Sequence, residues 1–176
     1  SGVVEFDNDS YKEADTVVIT LTDADLNTNP DIINIYTVVD TGGDTAEDMV
    51  GKSGYGSNSV GDPNARMLDV TFDDELWLQS SSTNNSTTCT DMSSSTTDGL
   101  ANTGFTLVET GKNTGVFIGD FQVPDEYCSR SGTAGAATTM GVDIEVNYVD
   151  YRDASGEIIE VGDGAGIRGN TGSVSL

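Results

Sequence analysis

The sequence contains no histidine, only seven Lys and Arg, three prolines and two cysteines in 176 residues. Without imidazole the chain lacks the usual general base at neutral pH and the nitrogen ligand that zinc favours. Seven basic residues against thirty acidic ones leave a net charge of −23. Such a field repels phosphate backbones and anionic lipid headgroups, so neither nucleic acid nor a membrane surface is an expected partner. No apolar run approaches the roughly 18 residues of a membrane span, so membrane insertion is not expected either. The start at Ser1 rather than Met is read as that of a mature, processed chain.

Helical periodicity is also missing: no segment repeats apolar residues at i, i+3, i+4 and i+7 over three turns. Short period-two runs rich in β-branched residues take its place. "GVVEF", "TVVITLT", "DIINIYTVV", "RMLDVTF", "LWL", "FTLVET", "GVFIGDFQV", "VDIEVNYVDY", "GEIIEV" and a terminal "GSVSL" are the strand candidates. In "VDIEVNY" the residues Val142, Ile144, Val146 and Tyr148 point one way, and Asp143, Glu145 and Asn147 the other. In "DIINIYTVV" one face carries Ile33, Ile35 and Val39, the other Tyr36 and Val38. Some eight to ten short strands with Gly-rich turns predict an all-β, antiparallel sandwich, with a barrel as the alternative closure.

The length suits one domain over residues 1–176. Residues 79–103 form a Ser/Thr/Asn-rich insertion, and 162–172, with five glycines, reads as a flexible lead into a final strand at 173–176. An even pair of cysteines in polar surroundings, Cys89 and Cys128, predicts a disulfide and an oxidising, extracellular compartment. Sequons at Asn8, Asn84 and Asn85 are glycosylation candidates, and Trp77 is expected in the core rather than on a sugar-stacking surface.

Acyl-transfer chemistry lacks its base, and among thirty acids a neighbouring carboxylate pair says little about glycoside hydrolysis, so the expectation is a non-enzyme. The acids suggest cations instead. In "LTDADLNTNPD" the residues Asp23, Asp25 and Asn27 have the 1, 3, 5 donor spacing of an EF-hand loop, and Asp31 follows. The sixth position is Thr28 rather than Gly and the twelfth Asn34 rather than Glu, so the loop is not an EF-hand. Its oxygens still suit calcium, which accepts six to eight flexible oxygen ligands; Asx turns are the competing account. Asp7 and Asp9, the run Asp73, Asp74 and Glu75, Glu109, and Asp150 with Asp153 also lie at predicted strand ends. For each of these a solvated rim competes with a ligand role.

"VVEFDNDSYKEADTVVITLTDADLNTNPDIIN", "TLVETGKNTGVFIGDF" and "VNYVDYRDASGE" together resemble the Ig-like β-sandwich module of archaeal and some bacterial surface-layer, adhesin and cell-surface filament proteins, cannula-like and donor-strand filaments among them. The resemblance spans most of the chain, with 79–103 as an insertion and 40–66 poorly matched. It implies an Ig-like Greek-key sandwich that is secreted, structural, non-catalytic and stabilised by calcium. Its metal-facing positions would be Asp23, Asp25, Asn27 and Asp31, with Asp7, Glu109, Asp150 and Asp153. It further implies head-to-tail homopolymers joined by donor-strand exchange. The favoured donor is the N-terminal strand, with Val3, Val4 and Phe6; the C-terminal "SVSL" is the other candidate. A secreted adhesin or carbohydrate-binding module is the alternative function.

Overall fold

The computed structural model of the protein describes residues 2–38, 49–51, 66–81, 89, 98–129, 135–151, 153 and 155–169. They form an all-β sandwich whose strand pairs are antiparallel except for the short β2, which pairs parallel with β12. Strand β1 (Val3–Phe6) and the two-residue β2 (Ser10–Tyr11) precede β3 (Thr16–Thr22), whose Val17, Ile19 and Leu21 are fully buried. Strands β4 (Ile35–Thr37), β7 (Thr106–Glu109) and β8 (Val116–Gln122) complete one sheet in the order β1-β3-β8-β7-β4, every neighbour antiparallel.

The facing sheet has the order β2-β12-β11-β5, with β5 (Leu68–Phe72), β11 (Asp143–Asp150) and β12 (Ile159–Ile167). Here β11 is central, paired along its whole length with β12 and over residues 144–148 with β5. A smaller sheet, β10-β9-β6, is built from β6 (Trp77–Gln79), β9 (Glu126–Ser129) and β10 (Ala137–Thr138).

Alternation decides which side chains fill the space between the sheets. The core places Ile19, Leu107 and Phe117 of one sheet opposite Leu68, Val70, Ile144 and Val146 of the other. Trp77 is fully buried, stacked on Phe72 with centroids 4.3 Å apart, and its indole N–H donates to the Val70 carbonyl at 3.0 Å. Its burial removes roughly 150–250 Å² from water, an upper bound of about 4–6 kcal/mol at 25 cal/mol per Å².

Several expectations shift. Of the run at 31–39, the described residues 31–38 form a strand over Ile35–Thr37, and Val39 lies outside them; Tyr36 is buried, and Ile33 and Ile35 face outward, 45% and 56% exposed. Residues 162–167 are not a flexible lead. They lie within β12, where Gly162, Gly164 and Gly166 alternate with inward-facing Asp163, Ala165 and Ile167 while the backbone stays laddered to β11. Absent side chains concealed a strand that its hydrogen bonds define. The polar insertion re-enters the core: Leu100, in the 3₁₀ turn Gly99–Asn102, is fully buried against β5 and β6. Twelve strands are described, more than eight to ten, because β2 and β10 are too short for alternation to reveal. Asn84, Asn85 and the expected strand at 173–176 lie outside the described residues.

The disulfide between Cys89 and Cys128 is present, its Cα atoms 5.8 Å apart, with Leu78 and Ala136 packed on it. Cys128 sits on β9, so the bridge moors the polar insertion to the small sheet. It spans 39 residues, which in the chain-entropy model is worth up to about 4 kcal/mol. Replacing both cysteines by serine is expected to lower Tm by about 8–16 °C by calorimetry, at roughly 2–4 °C per kcal/mol for a chain of this size.

Candidate metal centre

The residue that follows β3, Asp23, is the first candidate ligand. Asp23 is held in extended conformation by its N–H, which donates to the Gly115 carbonyl at 2.9 Å, and it caps the 3₁₀ turn Ala24–Leu26 by accepting from the Asp25 N–H at 2.9 Å. An aspartate at that position satisfies an otherwise orphaned donor of the turn. The same cap brings the Asp25 carboxylate alongside. Gly115, at φ +67°, allows this close approach: a Cβ there would stand 3.1 Å from the Ala24 Cα.

The third ligand comes from the other sheet. The inward row of β11 runs Ile144, Val146, Tyr148 and then Asp150, so the strand that fills the core ends with a carboxylate at the next inward position. Asp150 is fully buried and Asp23 is 2% exposed, while Asp25 lies half-buried on the solvent side. One oxygen from each lies within 4.8 Å of the others. The Tyr148 hydroxyl donates to Asp23 Oδ2 at 2.6 Å and locks the pair of sheets together here. Gly2 roofs the site; a Cβ on it would be 2.5 Å from the Tyr148 ring and 3.2 Å from Asp23 Oδ2.

Two buried carboxylates and a third beside them strongly disfavour one another unless a proton or a cation neutralises the group. All-oxygen donors suit a hard cation rather than zinc or copper, and Asp25 leaves a route from solvent. The arrangement can therefore bind a metal ion.

The other five candidates are held elsewhere. Asn27, at the C-terminal end of the 3₁₀ turn, is drawn away: its amide donates to Asn113 Oδ1 at 2.6 Å and its Oδ1 accepts from the Asn34 amide at 2.9 Å. Asp31 is exposed in a turn in which its N–H donates to Asn29 Oδ1. Asp7 accepts the Tyr11 hydroxyl and the Val18 N–H, and burial, reinforced by that carboxylate, pushes the Tyr11 phenol well above its usual range. Asp153 caps its own turn through the Ser155 hydroxyl and N–H, which pull its carboxyl down to about 2. Asp73 and Asp74, at φ +50° and +64°, form the two-residue turn between β5 and β6, where Phe72 and Glu75 exchange backbone hydrogen bonds of 3.0 Å. The glycosylation candidate Asn8 is exposed, and its amide contacts Asp7.

Glu109 organises a separate polar core that sequence reasoning missed. Its Oε1 accepts from the Asn34 N–H and amide at 3.1 and 3.0 Å, and its Oε2 from the Gly115 N–H at 2.9 Å. Burial pushes its carboxyl up, but the donors from Asn34, Gly115 and Thr114 more than reverse this, and its pKa is lowered. The long reach from Asn34 to Glu109, 75 residues, left no local signal.

No protein-family model matches the chain, and no curated protein matches it. No helix among the described residues is long and apolar enough to cross a membrane.

Because the folded-state pKa of Glu109 lies below its ordinary 4.5, its contribution is complete above that value and is lost as pH falls toward the folded pKa. Glu109→Gln keeps one acceptor but sets an amide against the Gly115 N–H. It should cost about 1–3 kcal/mol at pH 7. Urea melts from pH 7 to 3 should show the difference from the parent protein shrinking with acid; a constant difference would contradict the assignment.

Proposed function

We propose that this chain is a non-catalytic structural subunit of an extracellular, self-assembling filament or surface layer, stabilised by calcium at Asp23, Asp25 and Asp150. The convergence of these three carboxylates from both sheets at one end of the sandwich carries the reading. A cation there fastens the β3 turn to the end of β11, and calcium suits the site better than magnesium because it accepts irregular oxygen geometry and water at the remaining positions. The disulfide favours an oxidising, extracellular setting.

Two observations support end-to-end joining through β1. Among the described residues this strand is an edge, laddered on one side only, to β3, through four residue pairs, with Val4 and Phe6 buried and Val3 exposed. A neighbour's copy would find the same partners in the same register, since the acceptor strand is identical. The alternative of a carbohydrate-binding module gains less: the single tryptophan is buried in the core.

Saturating calcium at about 100 times its Kd adds about 2.7 kcal/mol to the native state, which raises Tm by roughly 5–10 °C over chelated protein. Asp150→Asn relieves the like-charge repulsion and should leave the chelated protein at least as stable while abolishing the calcium response. A calcium-dependent Tm that survives in the variant would place the ion elsewhere. Deleting residues 1–6 should leave monomers in negative-stain micrographs of calcium-loaded protein at concentrations where the full chain forms filaments.

A further inference from the structure

The outward face of the five-stranded sheet is unlike the rest of the molecule. Along β1, β3, β8, β7 and β4 the outward positions carry Val, Ile, Thr and one Gln, and just two, Glu5 and Asp120, are charged. The chain as a whole carries thirty acids and a charge of −23. Strand register sets Ile35 beside Val108, Val108 beside Ile118 and Ile118 beside Thr20, an unbroken row across four strands. Ile35, Val108 and Ile118 are 56%, 37% and 41% exposed. Water-facing β-branched side chains in register form a flat, nearly uncharged patch, the kind of surface that marks a contact.

We propose that this face packs against the same face of a second copy of the chain, sheet on sheet. Charge selects the occupant. A cationic partner would gain more from the acidic surfaces elsewhere, and a saccharide would want aromatic platforms, which these five strands do not present outward. A second copy is itself acidic, so its approach is least opposed where carboxylates are sparse, and this face carries Glu5 and Asp120 alone among its outward strand positions. Two identically twisted sheets also stack in the aligned manner of a sandwich, about 10 Å apart. The strands are four, seven, seven, four and three residues long; at about 4.8 by 3.3 Å per residue they give a face of roughly 400 Å². Two faces therefore bury about 800 Å², below the ~1,000 Å² of a stable specific contact, so the pairing is weak and transient in free subunits. Repetition along a filament would multiply it into lateral bundling.

Sedimentation equilibrium over roughly 10 µM to 1 mM protein tests the pairing, with salt as the diagnostic variable, because the Debye length falls from about 10 Å at 0.1 M to 3 Å at 1 M. The full chain, with calcium chelated so that end-to-end filaments are not expected, should associate at least tenfold more tightly at 1 M than at 0.1 M NaCl. The double variant Val108→Glu/Ile118→Glu should weaken association at least tenfold, whereas Thr138→Glu, on exposed β10, adds charge away from the face and should leave it within twofold. Asp120→Asn removes one carboxylate per copy from the contact and should tighten it several-fold without affecting the core, so the outcome does not depend on the double variant folding. A chain that stays monomeric at 1 M salt, association that persists in a folded double variant, or no response to Asp120→Asn overturns the proposal. Filaments scored in parallel by electron microscopy should persist singly in the double variant, so failure of face pairing and failure of end-to-end joining are told apart.

Discussion

The hydrogen bond from the Tyr148 hydroxyl to Asp23 is the contact on which this architecture turns. It joins the central strand of one sheet to the end of the inner strand of the other, and it orients the carboxylate that both caps the 3₁₀ turn and faces Asp150. The first described residue, Gly2, packs on the same two groups, so the entry of β1 is shaped by them too. An isoleucine or phenylalanine at 148 would fill the core equally well but leave Asp23 a buried acceptor short of a donor, a loss of about 1–3 kcal/mol. The apolar alternation of β11 thus ends in two polar residues, Tyr148 and Asp150, that convert a packing strand into one wall of a site.

A net charge of −23 on a small sandwich is a cost in self-repulsion. Much of it is used locally. Asp15 accepts from the Lys12 N–H, Asp73 from Asp143, Asp153 from Ser155, and Asp69 from Leu100 and Val70. Burial raises the Asp69 pKa even with Arg66 at 2.9 Å, since the carboxylate lies wholly beneath the Gly99 turn. Short strands leave many unpaired N–H groups at their ends, and an aspartate is a compact acceptor for each. Asp23, Asp25 and Asp150 form the one triad among the described residues whose carboxylate oxygens come within 4.8 Å of one another, even though Asp23 also accepts from the Asp25 N–H and the Tyr148 hydroxyl, and such a group is where a hard cation could be held.

Most of the strands were legible because their burial alternates: Val17, Ile19 and Leu21 declare β3, and Ile144, Val146 and Tyr148 declare β11. Asp150 was legible as a strand-end acid grouped with Asp153, but it is the inward continuation of β11 that takes it to Asp23 while Asp153 caps its own turn. What failed to show was whatever depends on partners far along the chain. The spacing of Asp23, Asp25 and Asn27 suggested a shared cation, but the turn divides them, and Asn34 and Asn113 claim the third. The face of the strand at Ile35 was ambiguous because both of its sides are apolar, and only the ladder to β7 makes Tyr36 the buried one. Residues 162–167 were misjudged since glycine alternation carries no hydropathy signal, although each glycine still holds its place in the ladder to β11.

The hold on β1 bears on the exchange proposed for it. Asp163 points inward from β12; its Oδ2 accepts the Phe6 N–H at 2.8 Å and its Oδ1 the Gly164 N–H at 2.9 Å. One carboxylate thus accepts one N–H from β1, an edge of its sheet among the described residues, and one from β12 itself, a charged residue turned inward where a bare edge would recruit foreign strands. It holds β1 by one side-chain bond, against the full ladder that β1 makes with β3. In the proposed exchange every one of these contacts re-forms with a neighbour, so the equilibrium between closed subunit and filament depends on small terms: chain entropy, subunit concentration, and the fit of Gly2 against Tyr148 and Asp23. Under that proposal a cation on Asp23 would act on the last term: it would rigidify the surface that receives the incoming strand, whichever copy supplies it, and so would couple the metal centre to assembly without touching the strand itself.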